Sequence, residues 1–199
     1  MTITRRTLLC VALAFIAACG SLSSPPRDRF YRLHSFMPPT SLSTSPAKQL
    51  HVPPFEASGL HAKRALIYVH PDDTTLEQYS YHLWIDSPRL LLQSALSDYL
   101  REGLGAQVVA QPAAEATVVQ GRVVRFERLA RPGGGPDDAA VVLHFDVFEH
   151  GARMPSLSKS YAVVENLADD TIEAYAMAAN RAVEQVFEQL LNDLAHLWR

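Results

Sequence analysis

Few residues in this 199-residue chain stand at the spacings that chemistry requires. The eight histidines are His34, His51, His61, His70, His82, His144, His150 and His196. None forms a His-x-x-x-His pair, the spacing that sets two imidazoles on one helix face for a metal. His144 and Asp146 share a strand face, where a carboxylate can orient an imidazole, but no serine-nucleophile motif accompanies them. They read as a solvated sheet face, although triad members need not be close in sequence. Gly133-Gly134-Gly135 resembles a phosphate loop in composition only: it lacks the Lys-Ser/Thr ending and lies between strands. Asp72-Asp73 and Asp137-Asp138 are acidic turns without calcium-loop spacing. Tyr79, Tyr81, Trp84 and Phe55 could line a lipid groove or simply fill a core. The reading is of a protein that is not an enzyme, with no catalytic residue, cofactor or metal site expected.

Covalent chemistry is left to two thiols, Cys10 and Cys19. Both lie in the first twenty residues, so the rest of the chain has no disulfide framework, cysteine zinc cluster or thiol nucleophile. Arg5 and Arg6 precede an eleven-residue apolar run, Leu8–Ala18. At about 1.5 Å per helical residue that run crosses only about half of a ~30 Å hydrocarbon core, so it reads as a secretory signal peptide, removed on export. Ile16-Ala17-Ala18-Cys19 resembles a bacterial lipobox. The resemblance implies a diacylglyceryl group on the Cys19 sulfur, cleavage between Ala18 and Cys19, and acylation of the new amine by a palmitate-class chain. Two or three chains make such an anchor effectively permanent, because each buried methylene contributes about 0.8 kcal/mol. Thr4-Arg5-Arg6-Thr7-Leu8-Leu9 partly resembles a twin-arginine signal, which leaves the export route open. Gly20, not aspartate, follows Cys19. By the pattern of bacterial lipoproteins this implies the outer membrane, with the body facing the periplasm.

Composition bounds the remainder. A mean hydropathy of -0.02 excludes a polytopic membrane protein, and 48% hydrophobic residues exclude wholesale disorder. A formal charge of -3 leaves no basic footprint for nucleic acid. Loss of Arg5 and Arg6 makes the mature chain more negative still, so the tether, not overall surface charge, is expected to hold it at the membrane.

The expected organisation is a signal peptide over 1–18, an acylated cysteine and tether over 19–29, and one α+β domain over 30–199. Phe30–Leu33, Gln49–Val52, Ala65–His70, Gln78–Ile85, Gln107–Ala110, Thr117–Leu129, Ala139–Glu149 and Ser158–Glu165 read as strands. Met37–Ala47 reads as a loop. In Gln78–Ile85, Tyr79, Tyr81, Leu83 and Ile85 fall on one parity. Val123-Val124 breaks the alternation of its strand, which suggests a bulge. Ser87 and Pro88 open a helix over 88–102, with Gly103 and Gly105 as its stop. Asp170 and Glu173 resemble a capping box before a long helix from Thr171 almost to Arg199. Its stripe is Ile172, Ala176, Ala179, Val183, Val186, Leu190, Leu194 and Leu197, widened by Phe187 and Leu191. The predicted architecture is one mixed or antiparallel sheet with two helices packed on one face.

Phe30-Tyr31-Arg32-Leu33, Val52-Pro53-Pro54-Phe55 and Arg64-Ala65-Leu66-Ile67-Tyr68 resemble the opening strands of the ABC-type transport auxiliary lipoproteins. Tyr79-Ser80-Tyr81-His82-Leu83-Trp84-Ile85-Asp86-Ser87-Pro88, with the leucine-rich helix behind it, carries the resemblance furthest. The chain departs from the pattern in the His-Pro-Asp-Asp-Thr-Thr turn and the glycine-rich hairpin. The resemblance implies a non-enzymatic accessory role, similar to the paraquat-inducible intermembrane transport lipoprotein. The implied partners are a mammalian-cell-entry (MCE) domain protein and its ABC permease and ATPase, with lipid traffic between membranes as the task. Direct phospholipid binding, self-association, a spatially assembled hydrolase and a role as an envelope assembly factor stay open.

Overall fold

The computed structural model describes residues 26–39, 48–72, 74–111, 113, 115–131, 133 and 135–198. The signal stretch, Ala18 and Cys19 lie outside these, as does most of the expected loop up to Ala47. The elements are β1 (Arg29–Tyr31), β2 (Gln49–His51), β3 (Ala65–Val69), β4 (Leu76–Trp84), α1 (Pro88–Leu104), β5 (Gln107–Val109), β6 (Thr117–Leu129), β7 (Asp138–Phe148), β8 (Leu157–Asn166) and α2 (Ile172–Leu197). They form a mixed, open eight-stranded sheet and two helices, the second long and C-terminal, which is the expected α+β class.

The sheet is organised around β6. Its thirteen residues span roughly 43 Å at about 3.3 Å each, enough edge for several partners. β7 runs antiparallel along one side, from Val118↔Phe148 to Leu129↔Asp138. On the other side β2 pairs in parallel at the start, Glu56 bridges Arg122 in the middle, and β3 pairs in parallel at the end. β8 extends β7, β4 extends β3, β1 extends β4, and β5 extends β2.

Alternation on β7 puts Val141, Leu143, Phe145 and Val147 under the helices. The suspected bulge in β6 is present: pairing steps from Val123↔Leu143 to Arg125↔Val142, leaving Val124 unpaired and exposed. The extra residue swaps the faces, so Phe126 enters the core where strict alternation would have turned it out. Gly121 lies under the Phe55 ring; a Cβ there would stand 2.5 Å from that ring. The absence of a side chain lets Phe55 meet Phe145 edge-on, with ring centres 5.6 Å apart.

Three sequence expectations are corrected. In β4, Ile67 pairs with Gln78 and Ala65 with Leu83, so Tyr79–His82 face Leu66 alone. That insertion is odd in number and reverses the parity: Trp84 is 0% exposed, whereas Tyr81 and Ile85 are 43% and 54% exposed. Gly103 does not stop α1. The helix continues to Leu104, and Gly105 closes it in the left-handed region at φ 61°. A Cβ on Gly103 would lie 2.8 Å from Leu191 Cδ1, so this glycine allows α1 and α2 to approach. Thr171, not Asp170, caps α2; its hydroxyl accepts the Ala174 amide at 3.1 Å. Asp169 fixes that cap by accepting the Thr171 amide at 2.8 Å. Ser87 stands at the start of α1 without a side-chain cap, and its carbonyl accepts the amides of Leu90 and Leu91.

Candidate functional site

The first described residues tie the N-terminal segment to the helix layer. β1 lies parallel to the end of β4, and Ile85 donates its amide to the Tyr31 carbonyl at 2.6 Å. The chain then leaves the sheet and crosses α2 at Asn180. This asparagine is 5% exposed, in a helix face of small and aliphatic residues. Its Oδ1 accepts the His34 amide at 2.6 Å, and its Nδ2 donates to the Ala176 carbonyl at 2.8 Å and to the Arg32 carbonyl at 3.3 Å. A buried amide is costly without partners and holds a unique geometry with them. Beyond it, Phe36 is buried edge-on against Phe187, which also packs on Tyr99. Pro38 comes against α1 at Gly103. Residues 32–38 are thus a strap over both helices. It borders a cavity of about 430 Å³ with Leu33, Phe36 and Met37 on one wall and Leu91, Ala95 and Asp98 on the other. The sequence reading missed Asn180, although one polar residue four positions after Ala176 in an apolar stripe is a legible signal.

The outer face of β7 and β8 gathers a serine, histidine and aspartate set. His144 Nδ1 lies 2.9 Å from Ser160 Oγ, and His144 Nε2 lies 3.3 Å from Asp146 Oδ1. Ser158 donates to Asp146 at 2.6 Å. The Asp146 carboxyl is held below the usual range, first by that hydroxyl and then, against some burial, by His144. The arrangement follows from register, since His144 is opposite Ser160 and Asp146 is opposite Ser158. An acyl-transfer site needs free N–H groups aimed at a developing oxyanion. Here β7 lies between β6 and β8, so its amides serve the ladders on both sides.

Two carboxylates, Glu127 buried and Glu149 partly exposed, hold the frame. Glu127, 3% exposed, accepts from Arg125 at 2.5 Å and lies 2.9 Å from His61 Nε2. Burial pushes its carboxyl up, but the hydrogen bonds from His61 and Arg125 outweigh this and hold it below the ordinary glutamate range. Glu149 accepts from Trp198 Nε1 at 2.6 Å and from Thr117 at 3.1 Å, while Lys48 lies over the Trp198 ring. It fastens the end of α2 to the start of β6.

Other candidates are dispersed. Trp84 stacks on Phe126 and Phe55 packs on Phe145, both in the core, while Tyr79 is half-buried beside Tyr68 and Tyr81 is exposed. These four do not line one groove. Gly133 and Gly135 take φ of 91° and 103° in the β6–β7 connection, a turn geometry. Asp137 accepts Arg128 Nε at 2.6 Å. Among the described residues no group of three or more His, Cys, Asp or Glu is placed to hold a metal ion. No described helix is long and apolar enough to cross a membrane.

This architecture is found in solved structures. A Xanthomonas campestris protein carrying the family designation DUF330 is similar at 18% identity, with a TM-score of 0.75 over 85% of this chain and 95% of that one. A hypothetical protein of Chlamydia trachomatis is similar at 8% identity, with a TM-score of 0.52 over 76% and 97% of the two chains. At these identities the likeness defines the fold class alone. The family follows from the sequence: the model for the ABC-type transport auxiliary lipoprotein component matches residues 31–190, and the chain belongs to that family. It is a family of transport auxiliary lipoproteins and not a known enzyme family. No curated protein matches the chain.

Proposed function

We propose that this chain is an outer-membrane-anchored periplasmic lipoprotein that serves an MCE-type intermembrane lipid transport system as a non-enzymatic docking part. Cys19 is the acylated anchor, residues 20–29 are the tether, and residues 30–199 are the docking body. The observation that carries the reading is family membership over 31–190, directly downstream of the lipobox. The strap adds a physical reason. A pull on the tether is taken up by β1, Asn180 and Phe36 and so reaches both helices, which suits a body held between two membranes.

Two measurements test the proposal. Intact mass of the chain recovered from envelopes should show cleavage before Cys19 and added acyl chains; an unmodified Cys19 removes the anchor. Co-purification with the MCE-domain protein encoded beside it should recover that protein with its permease and ATPase; no association removes the docking role.

A second reading is that the body binds a lipid itself. The cavity between strap and α1 favours it, because Leu33, Phe36, Leu91 and Ala95 give it an apolar wall beside the polar Ser94, Asp98 and Glu102. Phospholipid co-eluting with the purified chain, and lost with Ala95→Trp, would replace docking with carriage.

A further inference from the structure

The charge of this chain is unevenly placed. Where the segment 26–29 enters the sheet, two large apolar side chains are exposed close together. Phe30 pairs with Leu83 across β1 and β4, and Ile85 is hydrogen-bonded to Tyr31, the residue after Phe30. Phe30 is 55% exposed, and Ile85 is similarly open. The Arg64 guanidinium lies 5.5 Å from the centre of the Phe30 ring. Its Nε donates to the Trp84 carbonyl at 3.2 Å, and Trp84 donates its amide to the Arg64 carbonyl at 2.7 Å, which anchors this cation at the ring. Lys63 precedes it, and Arg27, Arg29 and Arg32 flank Phe30 along the chain. Arg29 pairs with Glu173 at 2.8 Å. Arg27, Arg32 and Lys63 are exposed and make no ion pair among the described residues. The carboxylates at the patch are Glu173, which lies beside Phe30 and Arg32 and is paired with Arg29, and, nearby in sequence, Asp28 and Asp86, the last accepting the Ser87 amide at 2.7 Å.

We propose that this patch is the face the protein lays against an anionic phospholipid leaflet. The Phe30 ring and the Ile85 side chain enter the interface, and the surrounding cations meet the phosphates with their stems along apolar surface. The overall negative charge does not prevent this. Charges farther than a Debye length, about 8 Å at physiological salt, are largely screened, so the local cluster governs the contact. The inference rests on the Cys19 anchor for its geometry. From Cys19 to Phe30 is eleven residues, at most roughly 38 Å of extended chain. A tether of that length keeps the patch at an effective concentration on the order of millimolar, so a weak contact is enough to orient the body.

The test uses the mature chain 19–199 carrying Cys19→Ser, which has no lipid. It is floated with vesicles of phosphatidylethanolamine and phosphatidylglycerol and, in parallel, with phosphatidylcholine vesicles, at low and physiological salt. The chain is expected to float with the anionic vesicles alone, and less as salt rises. Arg32→Ala and Lys63→Ala remove exposed, unpaired cations; each should lower the partition coefficient about fivefold with the thermal melt unchanged. Ile85→Ser should lower it further. Flotation on neither vesicle, equal flotation on both, or variants that float like the parent would overturn the proposal. So would capture by an acidic partner protein with no vesicle binding. The test protein is unacylated, so these outcomes are separate from the state of Cys19, which the intact mass decides.

Discussion

Asn180 holds His34 across 146 residues of sequence, its Oδ1 accepting the His34 backbone amide at 2.6 Å. The same side chain reaches the Arg32 and Ala176 carbonyls, so one amide closes the strap onto the long helix. Replacing it by leucine takes that acceptor from the His34 N–H and the Nδ2 donor from the Arg32 and Ala176 carbonyls. Asn180→Leu should cost about 1–3 kcal/mol. That corresponds to a fall in Tm of roughly 2–4 °C per kcal/mol for a domain of this size. Hydrogen exchange should locate the effect, with protection lost at His34 and kept on β7.

Gly121 and Gly103 both lie against a neighbour but should respond differently to alanine. At Gly121 the new Cβ meets the Phe55 ring at 2.5 Å, and a ring in contact with Phe145 has little room to retreat. Gly121→Ala is expected to destabilise by about 1–3 kcal/mol in urea. At Gly103 the closest contacts are the methyl ends of Leu191, which can change rotamer, with Pro38 Cβ farther off at 3.3 Å, and alanine gains up to about 1 kcal/mol of helix propensity. Gly103→Ala should therefore come out well below Gly121→Ala, and the reverse order would contradict this account of the two contacts.

Glu127 gives stability a dependence on acid pH. Its folded carboxyl titrates below its ordinary value because the bonds from His61 and Arg125 outweigh burial. A depressed carboxyl contributes fully above the unfolded value, near about 4.3, and the contribution is lost as pH falls through the folded value. Urea midpoints of the parent should decline over that window, and Glu127→Gln should decline less steeply. An identical slope in the variant would remove Glu127 from the account.

The Ser160, His144 and Asp146 set should be chemically inert. A fluorophosphonate probe is expected to leave Ser160 and Ser158 unlabelled, and Ser160→Ala should change stability by no more than about 0.5 kcal/mol. Stoichiometric labelling of Ser160 would show an activated hydroxyl and revive the hydrolase alternative.

The features legible in the sequence are those written in local spacing. The stripe from Ile172 to Leu194, the alternation of Val141 to Val147 and the break at Val123-Val124 each depend on residues a few positions apart. Period and interruption survive into the fold because backbone geometry repeats on that scale. The fold class was readable for the same reason.

Tertiary structure decided what distant residues do to each other. The three extra residues of β4 reverse Trp84 and Tyr81 because β3 supplies only Leu66 opposite them. Gly103 passes from helix stop to helix contact because Leu191 arrives from the other end of the chain. Phe30, Ile85 and Arg64 come together only when β1 pairs with β4 and β4 with β3, so a charge summed along the sequence cannot reveal it. Packing selects among local options by burial and close contact, and those partners are tens to more than a hundred residues away.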